Sequence, residues 1–328
     1  MKFSKVILAS VLALTLAACN TDEASNQDTE VKEKTQSEET TQTEVVVESG
    51  PIEFVDDLGN KLEFEEVPKS VATLNPGMLD ILVELGVNVT GRPTIKTEMT
   101  DEVKAIQEIG NPHEPSFEQI AAVNPELLIV PPSFMQFAST LEATGTKVAY
   151  LNMDSIDAIK STVEKYGSLF GKEDSAKEII GEIDAKLVEG NTDSTLNALI
   201  VYGAPGTYLA ALDNSLYGDI LAKAGGNNIA SDLPALEKYP TYASLSAEKI
   251  VEGNPQIIML ITHADPKMVQ EGFEKQMSED AAWKNLDAVK NGQILILPSE
   301  LFDNPGTQVV EAIDYMKNLL KEAEDAAK

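Results

Sequence analysis

Beyond residue 50 the apolar positions alternate between two patterns: short continuous runs, and stripes spaced three and four residues apart. The stretch IEFVDDLGNKLEFEEVP (52–68) has alternating runs about a turn at Asp57-Leu58-Gly59-Asn60, which predicts a β-hairpin. SVATLNPGMLDILVELGV (70–87) predicts a strand, a loop at Asn75-Pro76-Gly77, and a helix stopped by Gly86. SFEQIAAVNPELLIVPP (116–132) predicts a short helix from Phe117, a break at Asn124-Pro125, and a buried strand over Glu126 to Val130. TLEATGTKVAYLN (140–152) predicts a helix, a stop at Gly145 and another strand. This αβ alternation points to a parallel sheet covered by helices.

The order then begins again. NALIVYGAPGTYLAAL (197–212) predicts a strand and a Gly/Pro loop, and SLYGDILAKAGGNNI (215–229) a helix with a glycine stop. AEKIVEGNPQIIMLIT (247–262) predicts helix, break and strand, and NLDAVKNGQILILP (285–298) helix, Gly292 and strand. Three pairs of segments match in the same order. EQIAAVNPELLIV (118–130) is answered by EKIVEGNPQIIML (248–260), DILVELG (80–86) by DILAKAG (219–225), and GTKVAYLN (145–152) by GQILILPS (292–299). Two similar αβ lobes are therefore expected, an N-terminal lobe over 51–170 and a C-terminal lobe over 191–328. Between them Ile156, Ile159 and Val163 keep helical spacing, as do Ala176, Ile179, Ile180, Ile183 and Leu187. The second run predicts a rigid interlobe helix within 171–190. A long helix resists bending, so small opening and closing motions are expected rather than a wide hinge.

The N-terminus changes the picture most. MKFSKVILASVLALTLAAC carries Lys2 and Lys5, an apolar run from Val6 to Ala18, and then Cys19, the single cysteine of the chain. The run is short for a bilayer span, which takes about 20 residues, and reads as an export signal over 1–18. LAAC resembles the bacterial lipoprotein box, whose cysteine is lipidated and becomes the new first residue. Residues 19–50 follow as a tether. From Asn20 to Gly50 nine acidic residues stand against two lysines, with almost no large apolar residue before Val45. Such a segment cannot bury enough to offset its ordering entropy. Extended, it reaches on the order of 100 Å at ~3.3 Å per residue.

The net charge of −29 argues against nucleic acid as a partner. Arginine occurs once, at Arg92, among 25 basic residues, so fixed cationic forks for a polyanionic ligand are scarce. There are two histidines, which disfavours a zinc or manganese site built on several imidazoles. No Ser/His/Asp constellation, P-loop, G-x-G-x-x-G or metal cluster is legible, and no enzymatic activity is expected.

Lipobox, acidic tether, two αβ lobes, a joining helix and the paired E-x-I-x₃-N-P segments together resemble the helical-backbone substrate-binding lipoproteins of iron-uptake ABC importers. The likeness covers essentially all of the chain after Cys19. VYGAPGTYLAALDNSLYGDILAKAGGNNI, LITHADPKMV and WKNLDAVKNGQILILPSELF are most similar to the heme-binding lipoproteins of Gram-positive bacteria, the iron-regulated surface determinant type. The resemblance implies a class III periplasmic-binding-protein-like α/β fold, with heme as the transported ligand in the interlobe cleft. It also implies a monomer anchored by lipid at Cys19 on the outer face of the cell membrane, delivering to a permease and, through it, an ATPase. A ferric siderophore or a corrinoid is the alternative ligand on the same fold.

Site residues follow partly from position and partly from the resemblance. Ligands of open αβ sheets sit beyond the carboxyl ends of the strands. His263 directly follows the strand QIIMLIT and matches the heme-binding family's axial histidine; the plainer reading is a loop-capping residue. The family's second ligand, a methionine on the first helix, aligns with Leu82, and Met78 lies one turn earlier on the same face. Met78 is equally read as a core or rim residue, and Met135 and His113 are substitutes. Tyr202, Pro205, Tyr208, Tyr217, Phe134 and Phe302 are expected to form flat walls. Arg92 is a candidate partner for a propionate, or a salt-bridge residue. Glu118 and Glu248 match the family's surface glutamates that dock on permease arginines, one per lobe; both also suit a helix N-terminus.

Overall fold

The computed structural model describes residues 50–142, 145–189, 196–279, 281 and 283–326. The export signal, Cys19 and all but the last residue of the tether lie outside them. The hairpin is present as β1 (Ile52–Val55) and β2 (Lys61–Phe64), paired antiparallel. Asp56 closes its turn, accepting from the backbone of Leu58 and Asn60.

The first lobe continues as β3 (Val71–Thr73), α1 (Pro76–Glu84), β4 (Val89–Arg92), α2 (Asp101–Ala105), β5 (Gln107–Glu108), α3 (Phe117–Val123), β6 (Leu127–Val130), α4 (Ala138–Glu142) and β7 (Lys147–Tyr150). A 3-10 turn over Pro132–Phe137 separates β6 from α4. These five strands after the hairpin form one sheet in the order β5-β4-β3-β6-β7, parallel throughout. Leu127, Leu128, Ile129 and Val130 are all fully buried, as a central parallel strand covered on both faces must be.

Two helices, α5 (Ile156–Leu169) and α6 (Glu173–Val188), lead to the second lobe. Gly171, at φ +63, turns the chain back between them. The rod expected over 171–190 is thus α6, and α5 runs beside it in the opposite direction. At the start of α5 the Ile156 amide donates to Asp219 of the second lobe at 2.7 Å. Near its end Tyr166 packs on Phe54 of the hairpin, ring centroids 5.1 Å apart.

The second lobe is β8 (Asn197–Ala204), β9 (Thr207–Ala211), α7 (Leu216–Lys223), β10 (Asn227–Asn228), β11 (Tyr242–Ser244), α8 (Ala247–Gly253), β12 (Ile257–Ile261), α9 (Pro266–Glu279), α10 (Asp287–Lys290), β13 (Ile294–Ile296), α11 (Ser299–Phe302) and α12 (Val309–Ala326). Its sheet departs from the all-parallel expectation. β10, β12 and β13 build the parallel part around β8, but β9 folds back antiparallel on β8 and carries β11 at the edge. The Gly/Pro stretch APGT is therefore the tip of a hairpin, with Gly206 at φ +77.

The repeated E-x-I-x₃-N-P segments have one local cause. Ser116 and Ser246, two residues before the glutamates, cap α3 and α8 by accepting from the amides of Gln119 and Lys249. Asn124 and Asn254 end those helices in the left-handed region, at φ 46 and 37, which asparagine tolerates better than other side chains. Each proline then starts a buried strand.

One apolar core runs through both lobes. It joins α1, α5, α6, α7 and α12 with one face of each sheet, from Phe54 and Val71 to Ile257 and Leu320. Separate cores fill the outer faces, under α3 in the first lobe and under α8 and α9 in the second. Two more devices join the lobes. Lys317 on α12 donates to the carbonyl of Lys186 at 2.7 Å, at the carboxyl end of α6, where a cation is favoured. Asn75-Pro76-Gly77 at the head of α1 meets a second such tripeptide, Asn304-Pro305-Gly306. Asn75 donates to the Asn304 side chain at 2.9 Å, and Asp80 accepts the Thr307 amide at 2.7 Å. A Cβ on Gly77 would stand 2.8 Å from the Asn304 carbonyl, so glycine is what permits this approach. A shared core with fixed polar ties favours small lobe displacements.

Candidate ligand-binding cleft

Loops at the carboxyl ends of strands from both lobes enclose a cavity of about 480 Å³, within the range of small-molecule sites. The first lobe contributes Pro76, Thr94 to Thr97 and Asn111 to His113; the second contributes His263, Ser299, Glu300, Asp303 and Asn304. A smaller cavity of about 250 Å³ shares Asp303 and Asn304 and is walled by Tyr217, Tyr242 and Met153 among others.

His263 stands at the end of β12 on a loop held at both sides. Thr262 accepts the Ala264 amide at 3.0 Å, and Asp265 accepts the Met268 amide at 2.8 Å to start α9. The imidazole is 60% exposed, and its Nδ1 lies 2.9 Å from Asp303 Oδ2. A carboxylate only accepts, so Nδ1 carries the proton and the neutral ring keeps a lone pair on Nε2. Asp303 Oδ1 accepts from the Tyr217 hydroxyl at 2.8 Å. Tyr242 lines the smaller cavity with Tyr217, and Tyr202 lies with its ring centroid 5.7 Å from both Tyr242 and His263. The hydrogen bond that His263 donates to Asp303 raises the His263 pKa, against the opposing effect of burial. Burial first, then the Asp303 carboxylate, pushes Tyr217 far up, and burial first, then the neighbouring Tyr202, pushes Tyr242 up to about 12. They remain neutral donors at ordinary pH.

His113 enters the same cavity from the opposite lobe. Asn111 holds its loop by accepting the His113 and Glu114 amides, each at 3.0 Å. Gly110 closes the loop at φ +96, where a Cβ would lie 2.6 Å from the Glu114 carbonyl.

Other expected site residues lie elsewhere. Met78 is fully buried in the central core with Leu79, Ile81 and Leu82, because the N-cap at Asn75 turns that stripe of α1 inward. It is no wall of either cavity. Tyr208 pairs across the hairpin with Gly203 on the sheet face under α9, where it packs on Phe273 and donates to the Val269 carbonyl. Arg92 is buried and engaged with Glu108 at 3.3 Å and the Pro93 carbonyl at 3.0 Å. It serves the cleft indirectly, since Glu108 also accepts from Thr94, a cavity wall. Phe134 and Phe302 are fully buried core residues. Met135 is 56% exposed on the 3-10 turn and lines neither cavity. Glu118 and Glu248 are exposed in the first turns of α3 and α8.

The model of the periplasmic binding protein family matches residues 71–301. The chain belongs to that family. It is a family of solute-binding proteins of ABC transporters, which work with permease and ATPase components. The chain is 28% identical over 238 residues to the high-affinity heme uptake system protein IsdE of Staphylococcus aureus strain Newman, covering 71% of this chain and 78% of that protein. The crystal structure of S. aureus IsdE complexed with heme superposes with a TM-score of 0.66 at 23% identity, covering 76% of this chain and 98% of that one. The siderophore-binding protein BauB, bound to two molecules of acinetobactin and ferric iron, gives 0.63 at 21% identity, covering 82% and 98%. Both structures share this periplasmic binding protein's fold, and their ligands differ.

Proposed function

We propose that this chain is the membrane-anchored receptor of an iron-acquisition ABC importer, that it takes up heme in the interlobe cleft, and that His263 ligates the iron. The observation that carries the reading is the His263–Asp303 pair. Metal-ligating imidazoles characteristically donate their second nitrogen to a carboxylate, which fixes the tautomer and raises ligand basicity. Here Nδ1 is held by Asp303 and the ring is open to solvent. The relative heme uptake protein supports the same ligand. The cavity's charge favours heme over an anionic catecholate: its walls hold one lysine, Lys96, against Glu300 and Asp303. The test is titration of the purified protein with ferric heme and, separately, with ferric hydroxamate and catecholate siderophores. A saturable Soret shift with heme and none of comparable affinity with the siderophores is expected; the reverse order rejects heme as the cargo.

Delivery needs a surface that both lobes present. Glu118 and Glu248 sit at equivalent positions of two identically capped helices, one per lobe. A pair of fixed carboxylates suits a two-fold symmetric permease bearing cations. Glu118→Ala with Glu248→Ala together should lower heme-dependent uptake by about tenfold, with heme affinity of the isolated receptor unchanged. Anchoring through lipid at Cys19, on the outer face of the membrane, rests on the LAAC motif. Labelling with a radioactive or clickable fatty acid, lost in Cys19→Ser, checks it.

A further inference from the structure

The chain has two histidines, and both border one cavity, from opposite lobes. We infer that iron in a flat chelate is ligated by His263 on one face and His113 on the other, so that the bound metal itself ties the two lobes together. This rests on the heme reading above.

Three observations support it. His113 is exposed toward solvent at the tip of a loop held by Asn111 and closed by Gly110, so its backbone is placed before any ligand arrives. His263 is placed in the same way by Thr262 and Asp265. The thioethers that could compete are less well situated. Met78 is sealed in the core, and Met135 borders neither cavity. Met153 borders only the smaller cavity, together with Tyr217 and Tyr242. Two imidazoles are competent axial ligands for heme iron, and a protein's levers on the metal begin with that ligand identity.

A consequence separates this arrangement from one in which both ligands come from one lobe. Each iron–imidazole bond belongs to a different lobe, so losing either one removes the metal's own tie between lobes that already share a core.

The experiment uses the full folded chain with ferric protoporphyrin IX, followed by electron paramagnetic resonance and near-infrared magnetic circular dichroism. Wild type should give a low-spin, two-imidazole signature. His113→Ala should lose it, bind heme about tenfold more weakly, and regain the low-spin signature when free imidazole is added. His113→Met should convert the spectrum to a histidine–thioether type, while Met153→Leu should leave the wild-type spectrum intact. The gain in thermal midpoint on heme binding should be smaller in His113→Ala than in wild type. A thioether signature in wild type overturns the inference, as does a His113→Ala spectrum identical to wild type. Both leave the heme reading standing. If wild type takes up no heme at all, the underlying reading fails first, and that result is distinct from either.

Discussion

His263→Ala should weaken ferric heme binding by at least about 100-fold, roughly 3 kcal/mol, and remove the low-spin spectrum. Removal of a hydrogen-bond partner of a ligating histidine typically costs 10- to 100-fold, so removing the ligand itself should reach at least the upper end. The substitution is unlike a core truncation. The side chain is 60% exposed, its one polar contact among the described residues is Asp303, and the loop backbone is held by Thr262 and Asp265 rather than by the ring. The thermal midpoint of the ligand-free protein should therefore change little at neutral pH, and the wild-type gain in midpoint with heme should largely vanish. Calorimetric titration and a melt with and without heme read both quantities. Wild-type affinity in the alanine variant would falsify His263 as the iron ligand.

The two lobes were legible because their signals are local. An apolar run bounded by Asn-Pro or glycine is a buried strand next to a helix end, and it says so within about ten residues. What lay outside that range was misread. The hairpin β8–β9 makes the second sheet mixed, yet its Pro205-Gly206 tip reads locally like any loop after a parallel strand. Tyr208 was consequently assigned to the cleft, whereas pairing with Gly203 puts it under α9. Met78 reads in sequence equally as ligand or as core, and the structure places it in the core. Met78, Ile81, Leu82 and Leu85 form an i, i+3, i+4, i+7 stripe, and a stripe that packs on the core cannot also offer one member to a ligand. Asp303 was missed because it lies, with Asn304, beyond a short helix after β13, whereas residues such as His263 follow their strands directly. Its signal was the second Asn-Pro-Gly, which repeats the tripeptide at the head of α1 and meets it. Such a pairing, 229 residues apart in sequence, has no periodicity to announce it.

Asp303→Asn should change heme binding in two directions at once, and their combination identifies the role of the carboxylate. In the wild type Asp303 raises the His263 pKa above its ordinary value of 6.5. Protons compete with iron for Nε2, so heme affinity should fall as pH drops through that raised pKa. With the carboxylate gone, the midpoint of this fall should move to lower pH. Above the midpoint, where His263 is neutral in both proteins, the variant should bind about 10- to 100-fold more weakly, since the ring loses its fixed tautomer and some basicity. The ligand-free protein carries the linked sign. A base whose pKa is raised by folding adds stability that is fully present below the unfolded pKa and lost as pH rises through the folded one. Wild type should thus be favoured over Asp303→Asn most clearly in mild acid, by an amount reduced by the exposure of the imidazole. Heme titrations and thermal melts across this pH range, run on both proteins, test the pair together. If the variant binds more weakly by the same factor at every pH, Asp303 acts only through Tyr217 and the packing around it. If neither curve moves, the hydrogen bond at 2.9 Å has no part in ligand binding.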